Sequence, residues 1–127
     1  MSFTNFLETE ILDHVFAGAA YSAPATKYLA LFTAISDGEA GSVTELSGSA
    51  YARQTVAFTT SGNTTSNNAA LEFPTATGSR GTVTHVGVYD ASTSGNLMAY
   101  ATLSASKAID TGDVFRVPSG DLDITLN

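Results

Sequence analysis

The sequence predicts a mainly β fold: an antiparallel β-sandwich, jelly-roll-like or a small barrel, with one N-terminal amphipathic α-helix. Three observations carry this. Apolar residues recur at helical spacing only between Phe3 and Phe16. Beyond Gly18 the chain becomes short runs rich in Val, Thr, Tyr and Phe, separated by Gly, Ser, Asn and Asp clusters, the pattern of strands and turns. No helical stretch separates those runs, which favours antiparallel pairing over βαβ units. A chain of 127 residues suits one domain over 1–127, with the helix in 1–18 and the sandwich in 19–127.

Phe3, Leu7, Ile11 and Val15 recur every four positions, and Phe6, Leu12 and Phe16 widen the stripe, the mark of an amphipathic helix. Asn5 with Glu8 three residues on reads as a capping-box variant, with Ser2 and Thr4 as rival caps and Gly18 as the stop. Acids near the start suit the positive end of the helix dipole. Strands are expected at Lys27–Thr33, Gln54–Thr59, Leu71–Phe73, Thr82–Tyr89, Leu97–Leu103, Val114–Val117 and Leu122–Leu126. Alternation places Val86 and Val88 on one face with Thr82 and Thr84, and Val83, His85, Gly87 and Tyr89 on the other. Asp90 to Asn96 reads as a hairpin turn. Ser36–Ser49 and Ser61–Asn68 read as long polar loops, the second with no apolar residue.

Five Lys and Arg against 12 Asp and Glu give a net charge of −7. That charge repels phosphate backbones and anionic headgroups, so neither nucleic acid nor membrane is an expected partner. Only 13% of residues are charged, while the chain holds 18 Thr, 14 Ser and 19 Ala, a surface weakly protected against association. No apolar run approaches the ~20 residues that span a bilayer. Met1 to Ala20 has no Lys or Arg, so it lacks the basic start of a secretory signal.

The residues offer little to catalysis. There is no Cys, which removes disulfides, thiolate metal sites and cysteine nucleophiles. No Gly-x-Ser-x-Gly elbow or phosphate-binding glycine loop occurs. His14, late on the helix, suits the last carbonyls, and His85 reads as a hydrogen-bonded strand residue. Asp37, Glu39 and Glu45, and Asp110 with Asp113, read as solvated loop acids because neither set matches a calcium loop. Arg53, Arg80 and Arg116 are each expected to pair with a loop acid. The expectation is a non-enzymatic protein with no cofactor and no metal.

Several segments are more distinctive together: Ser2-Phe-Thr-Asn-Phe-Leu-Glu8, Leu12-Asp-His-Val-Phe16, Ala23-Pro-Ala-Thr26, Tyr51-Ala-Arg53, Phe73-Pro-x-Ala-Thr-Gly78, Gly81-Thr-Val-Thr-His-x-Gly87 and Gly95-Asn-Leu-x-Ala-Tyr100. In this order and spacing the chain resembles short tailed-phage and prophage virion proteins usually labelled tail-fibre proteins. The resemblance implies a structural component of the phage particle and carries over no catalytic residues; with no basic secretory start, the chain is expected to be made in the host cytoplasm. A fibre shaft needs heptads or a β-helical period, and the chain has neither. The expectation is therefore a capsid decoration, or cement, protein on the major capsid protein; the alternative is a tail-fibre tip or tail adaptor among tail proteins. A homo-oligomer is expected, and a trimer suits either reading. The candidate interface comprises Phe3, Phe6, Leu7 and Val15 on the helix segment and Asn63, Asn67 and Asn68 in the polar loop.

Overall fold

The computed structural model describes Met1–Asn127. The chain runs through β1 (Ser2–Phe3), α1 (Asn5–Phe16), β2 (Lys27–Asp37), β3 (Ser42–Glu45), β4 (Gln54–Val56), β5 (Phe58–Ser61), β6 (Thr64–Asn67), β7 (Leu71–Glu72), β8 (Gly81–Tyr89), β9 (Leu97–Ile109), β10 (Arg116–Val117) and β11 (Asp123–Thr125). The large sheet has the order β1-β9-β8-β2-β3, with β4 also paired to β2. Two small sheets accompany it, β11-β6-β5 and β10-β7. Every pairing is antiparallel. The architecture is the predicted antiparallel β fold with one N-terminal helix, and no barrel closes.

The apolar run Leu29-Ala-Leu-Phe32 explains the centre. All four residues are fully buried, as a strand covered on both faces requires. Leu29 and Leu31 enter the main core with Val56, Phe73, Val86, Val88, Met98, Phe115, Val117 and Leu122. That core lies between the large sheet and the segments carrying the two small ones. Ala30 and Phe32 point the other way, into a smaller cluster with Tyr89 and Leu97. On that face Gly87 leaves room for both neighbours: a Cβ there would stand 2.6 Å from Leu97 Cδ1 and from Phe32 Cε2.

Several expectations change at sheet level. The supposed loop Ser36–Ser49 contains β3, which continues the pairing of β2 from Phe32 to Asp37. The supposed loop Ser61–Asn68 is a hairpin, with Ser61 opposite Thr64 across a Gly62-Asn63 turn. Threonine and serine satisfy strand geometry without any apolar residue, so polarity concealed these strands. The run Gln54–Thr59 divides at Ala57 because its halves pair with different partners, β2 and β6.

The face assignment of β8 fails at Val83, which shares the main core with Val86 and Val88. Pairing jumps there from Val83 opposite Lys107 to His85 opposite Thr102. Thr84 thus faces the four residues Leu103 to Ser106, and simple alternation breaks down at such an irregularity in the ladder. Strand β9 accordingly runs to Ile109, six residues past the expected end.

Replacing Gly87 with Ala overpacks the contact between Phe32 and Leu97. The expected loss is about 1–3 kcal/mol in a urea melt, and unchanged stability would show that the two side chains move aside freely.

Candidate functional site

The helix is fixed at its beginning. Ser2 and Phe3 pair with Tyr100 and Ala99. Thr4 is buried, donates its hydroxyl to Leu97 O at 2.6 Å and accepts the Leu7 N–H at 3.4 Å, so Thr4 and not Asn5 is the N-cap. The Asn5 N–H reaches Glu39 O at 3.0 Å. At the far end Gly18 has φ +75°, and the Ala17 and Ala19 N–H groups both reach Asp13 O. His14 does not serve the last carbonyls; its Nδ1 accepts the Tyr21 N–H at 3.2 Å.

The predicted helical stripe divides into an inner and an outer part. Phe6 and Leu7 are half-buried against the main core. Val15 is 60% exposed, with Leu12 at 57% and Phe16 at 81%. The reason is geometric: a four-residue repeat advances about 40° per step around a 3.6-residue helix, so a stripe that starts inward ends outward. Phe3 is half-buried and lines a shallow cavity with Met1, Glu8, Glu39 and Leu126. Leu12, Phe16 and the exposed Leu126 were missed as candidates, because spacing alone does not say which side of a helix lacks a cover.

The three asparagines do not form one patch. Asn67 is buried, which corrects its place among the surface residues. Its Oδ1 accepts the Leu122 N–H at 2.9 Å, and its Nδ2 donates to Pro118 O at 2.9 Å and Ala69 O at 3.0 Å. A short amide that both donates and accepts thus satisfies three backbone groups, one beside Asn67 and two in the loop Pro118–Leu122. Asn63 and Asn68 are exposed, beyond opposite ends of β6. Asn63 Nδ2 donates to Leu126 O at 2.8 Å, and Asn68 Nδ2 to Thr59 Oγ1 at 3.2 Å.

A polar cluster that the motifs did not reveal sits at the other side of β2. Arg53 donates from Nε and Nη2 to Glu45 at 2.9 and 2.8 Å. Its Nη1 donates to Ala91 O and Ser94 O at 2.9 and 2.8 Å, and its guanidinium lies 3.6 Å from the centre of the Tyr89 ring. The Tyr51 hydroxyl donates to Glu45 at 2.6 Å and accepts the Leu31 N–H at 3.1 Å. Burial, followed by the bond to Glu45, pushes the Tyr51 phenol far up. Burial lowers the Arg53 pKa, but the bond and charge of Glu45 more than offset it and the net direction is upward. This cluster borders an open cavity of about 470 Å³ with Ser47, Ser92 and Thr93 on its walls. Its fork geometry staples the Asp90–Asn96 hairpin turn to the sheet.

Other acids thought solvated also hold backbone or side chains. Asp37 accepts the Ala40 N–H, Glu39 the Tyr100 hydroxyl and Asp113 the Asp110 N–H. Arg116 pairs with Glu72 on the surface, whereas Arg80 is buried and bonds to Ser49 O and Pro74 O instead of an acid. His85 Nδ1 lies 2.7 Å from Thr84 Oγ1, which donates to Thr33 O. No three His, Asp or Glu side chains converge to hold a metal ion.

A family model described as podophage GP4 fiber I protein gp80 matches residues 2–125. The chain belongs to this gp80 fibre family. No curated protein matches it. Membership makes it a structural protein of the phage virion that associates with other virion proteins, and no helix is long and apolar enough to cross a membrane.

In this gp80-family chain the Arg53 staple and the Glu39–Tyr100 bond each give a measurable outcome. Arg53→Lys keeps the charge but loses the fork to Glu45 and to the two hairpin carbonyls. It lowers stability by about 1–3 kcal/mol, and amide exchange of Asn96 and Leu97 rises; protection equal to that of the unaltered chain would refute the staple. Tyr100 is pushed up from 10.0 to about 12, first by its bond to Glu39, then by burial and by the charges of Glu39, Asp37 and Glu8. Its folded value exceeds its unfolded one, so the contribution is complete below pH 10 and is lost as pH rises through about 12. In an absorbance titration Glu39→Gln brings the ionisation of Tyr100 down toward 10.0.

Proposed function

We propose that the chain is a non-enzymatic tail-fibre component, a tip or adaptor that works among tail proteins. The observation that carries this is the family match over residues 2–125. The expectation of a capsid decoration protein rested on the missing shaft repeat. A fibre-family match over almost the whole chain removes that reason, because the family accommodates a chain with neither heptads nor a β-helical period. The tail-fibre alternative therefore fits better than a cement protein.

Binding is the mechanism in this reading. Hydroxyl-rich strands and turns offer hydrogen bonds at low charge, and repetition of the chain around the tail multiplies modest contacts into avidity. Assembly around a three-fold axis suits a fibre tip. Two carboxylates that border cavities are occupied, Glu45 by Arg53 and Tyr51, and Glu39 by Tyr100.

Cryo-electron microscopy of the virion tests the assignment. The chain is expected as density on the tail, in a small number of copies per particle by quantitative mass spectrometry. Density repeated over the head lattice in hundreds of copies would restore the decoration reading and end this one.

A further inference from the structure

The helix outlasts its own support. Thr4, Phe6 and Leu7 hold its first turn, yet none of its residues is buried. Leu12, Val15 and Phe16 project from one side, and helices this short are marginal in water without packing. Leaving three large apolar side chains uncovered on such an element forgoes the burial that ordinarily stabilises it.

The surroundings state what sort of surface would cover it. Glu8 shares the outer side with Leu12, and Asp13 borders Phe16. Glu8, Glu10 and Asp13 have no Lys, Arg or His partner within 4.0 Å. Glu39, beside Glu8, is bound to Tyr100, and Asp37 accepts a backbone N–H in the same turn. The helix thus presents an apolar ridge in an acidic field. A second copy of this chain is a poor complement. Of its five cations, Arg53 and Arg116 are ion-paired and Arg80 is buried, leaving Lys27 and Lys107 to face the acids.

We infer that the outer side of the N-terminal helix, formed by Leu12, Val15 and Phe16, docks into an apolar groove of a different virion protein whose rim carries Lys or Arg. This is the helix-in-groove mode of recognition. Apolar burial supplies its affinity, and the acids Glu8, Glu10 and Asp13 supply orientation and selectivity. The inference requires only that the chain is a virion protein. If cryo-electron microscopy placed the density on the head, the tail assignment would fall while this docking surface stood.

Phage carrying Val15→Ser with Phe16→Ser, and separately Glu8→Lys with Asp13→Lys, give the test. The first variant is expected to melt with the unaltered chain, since Val15 and Phe16 touch no core; the second is expected to melt slightly lower, because Glu8 lies in the first helical turn. Copies per purified virion are expected to fall by about ten-fold or more for the first pair and measurably for the second. A photo-crosslinking residue in place of Phe16 is expected to join a different virion protein at a segment containing Lys or Arg. Three results would overturn the inference: unchanged incorporation of the first pair, a lowered melting temperature of that pair that places Val15 and Phe16 in the core, or crosslinks only to another copy of this chain.

Discussion

Burial of β2 on both faces is the constraint on which the structure depends. Leu29 and Leu31 need a cover on one side, Ala30 and Phe32 on the other, so a single sheet with one wet face does not suffice. The main core answers the first need with residues drawn from β4, β8, β9 and the chain beyond Phe73. The second is met by smaller means: Tyr89 and Leu97 from the hairpin, Ile35 and Val43 from the β2–β3 corner, and Tyr100. Arg53 closes that side over Tyr89. Its charge is tolerable there because Glu45 and two carbonyls occupy the guanidinium, and an unpaired cation at the same depth would be strongly destabilising.

The same requirement explains how the helix is held. Thr4 bonds to Leu97, a residue of the second cluster, while Phe6 and Leu7 reach the first. The N-terminal segment therefore clasps the end of the sheet where the two cores approach one another. Past that point Leu12, Val15 and Phe16 are left exposed. In a virion structural protein, a ridge that its own fold does not cover is available to another protein.

Low charge takes on a more definite meaning in this setting. Several charged side chains are engaged: Glu45, Glu72, Arg53 and Arg116 are paired, Glu39 and Asp37 fix the turn after β2, and Asp90 holds Asn96 by two bonds. Surface strands rely on Thr and Ser ladders, such as Thr60 with Thr65 and Thr64 with Thr125. On the helix, Glu8, Glu10 and Asp13 have no cationic partner.

The β class, the helix and its stop at Gly18, the Asp90–Asn96 hairpin and most strand positions were legible in the amino-acid order, because those features follow from local periodicity and turn chemistry. The family resemblance was legible in the order of short segments. Only the tertiary structure decided which polar runs pair: Thr64–Asn67 becomes a strand through its neighbours β5 and β11. It also decided that Val83 joins Val86 inside, since a bulge depends on the partner strand, and that Asn67 is buried while Asn63 and Asn68 are not. The helical stripe shows the division most clearly. Spacing identified its apolar residues, but which of them are covered depends on where the sheet ends, and that edge is set by pairings distant in the chain.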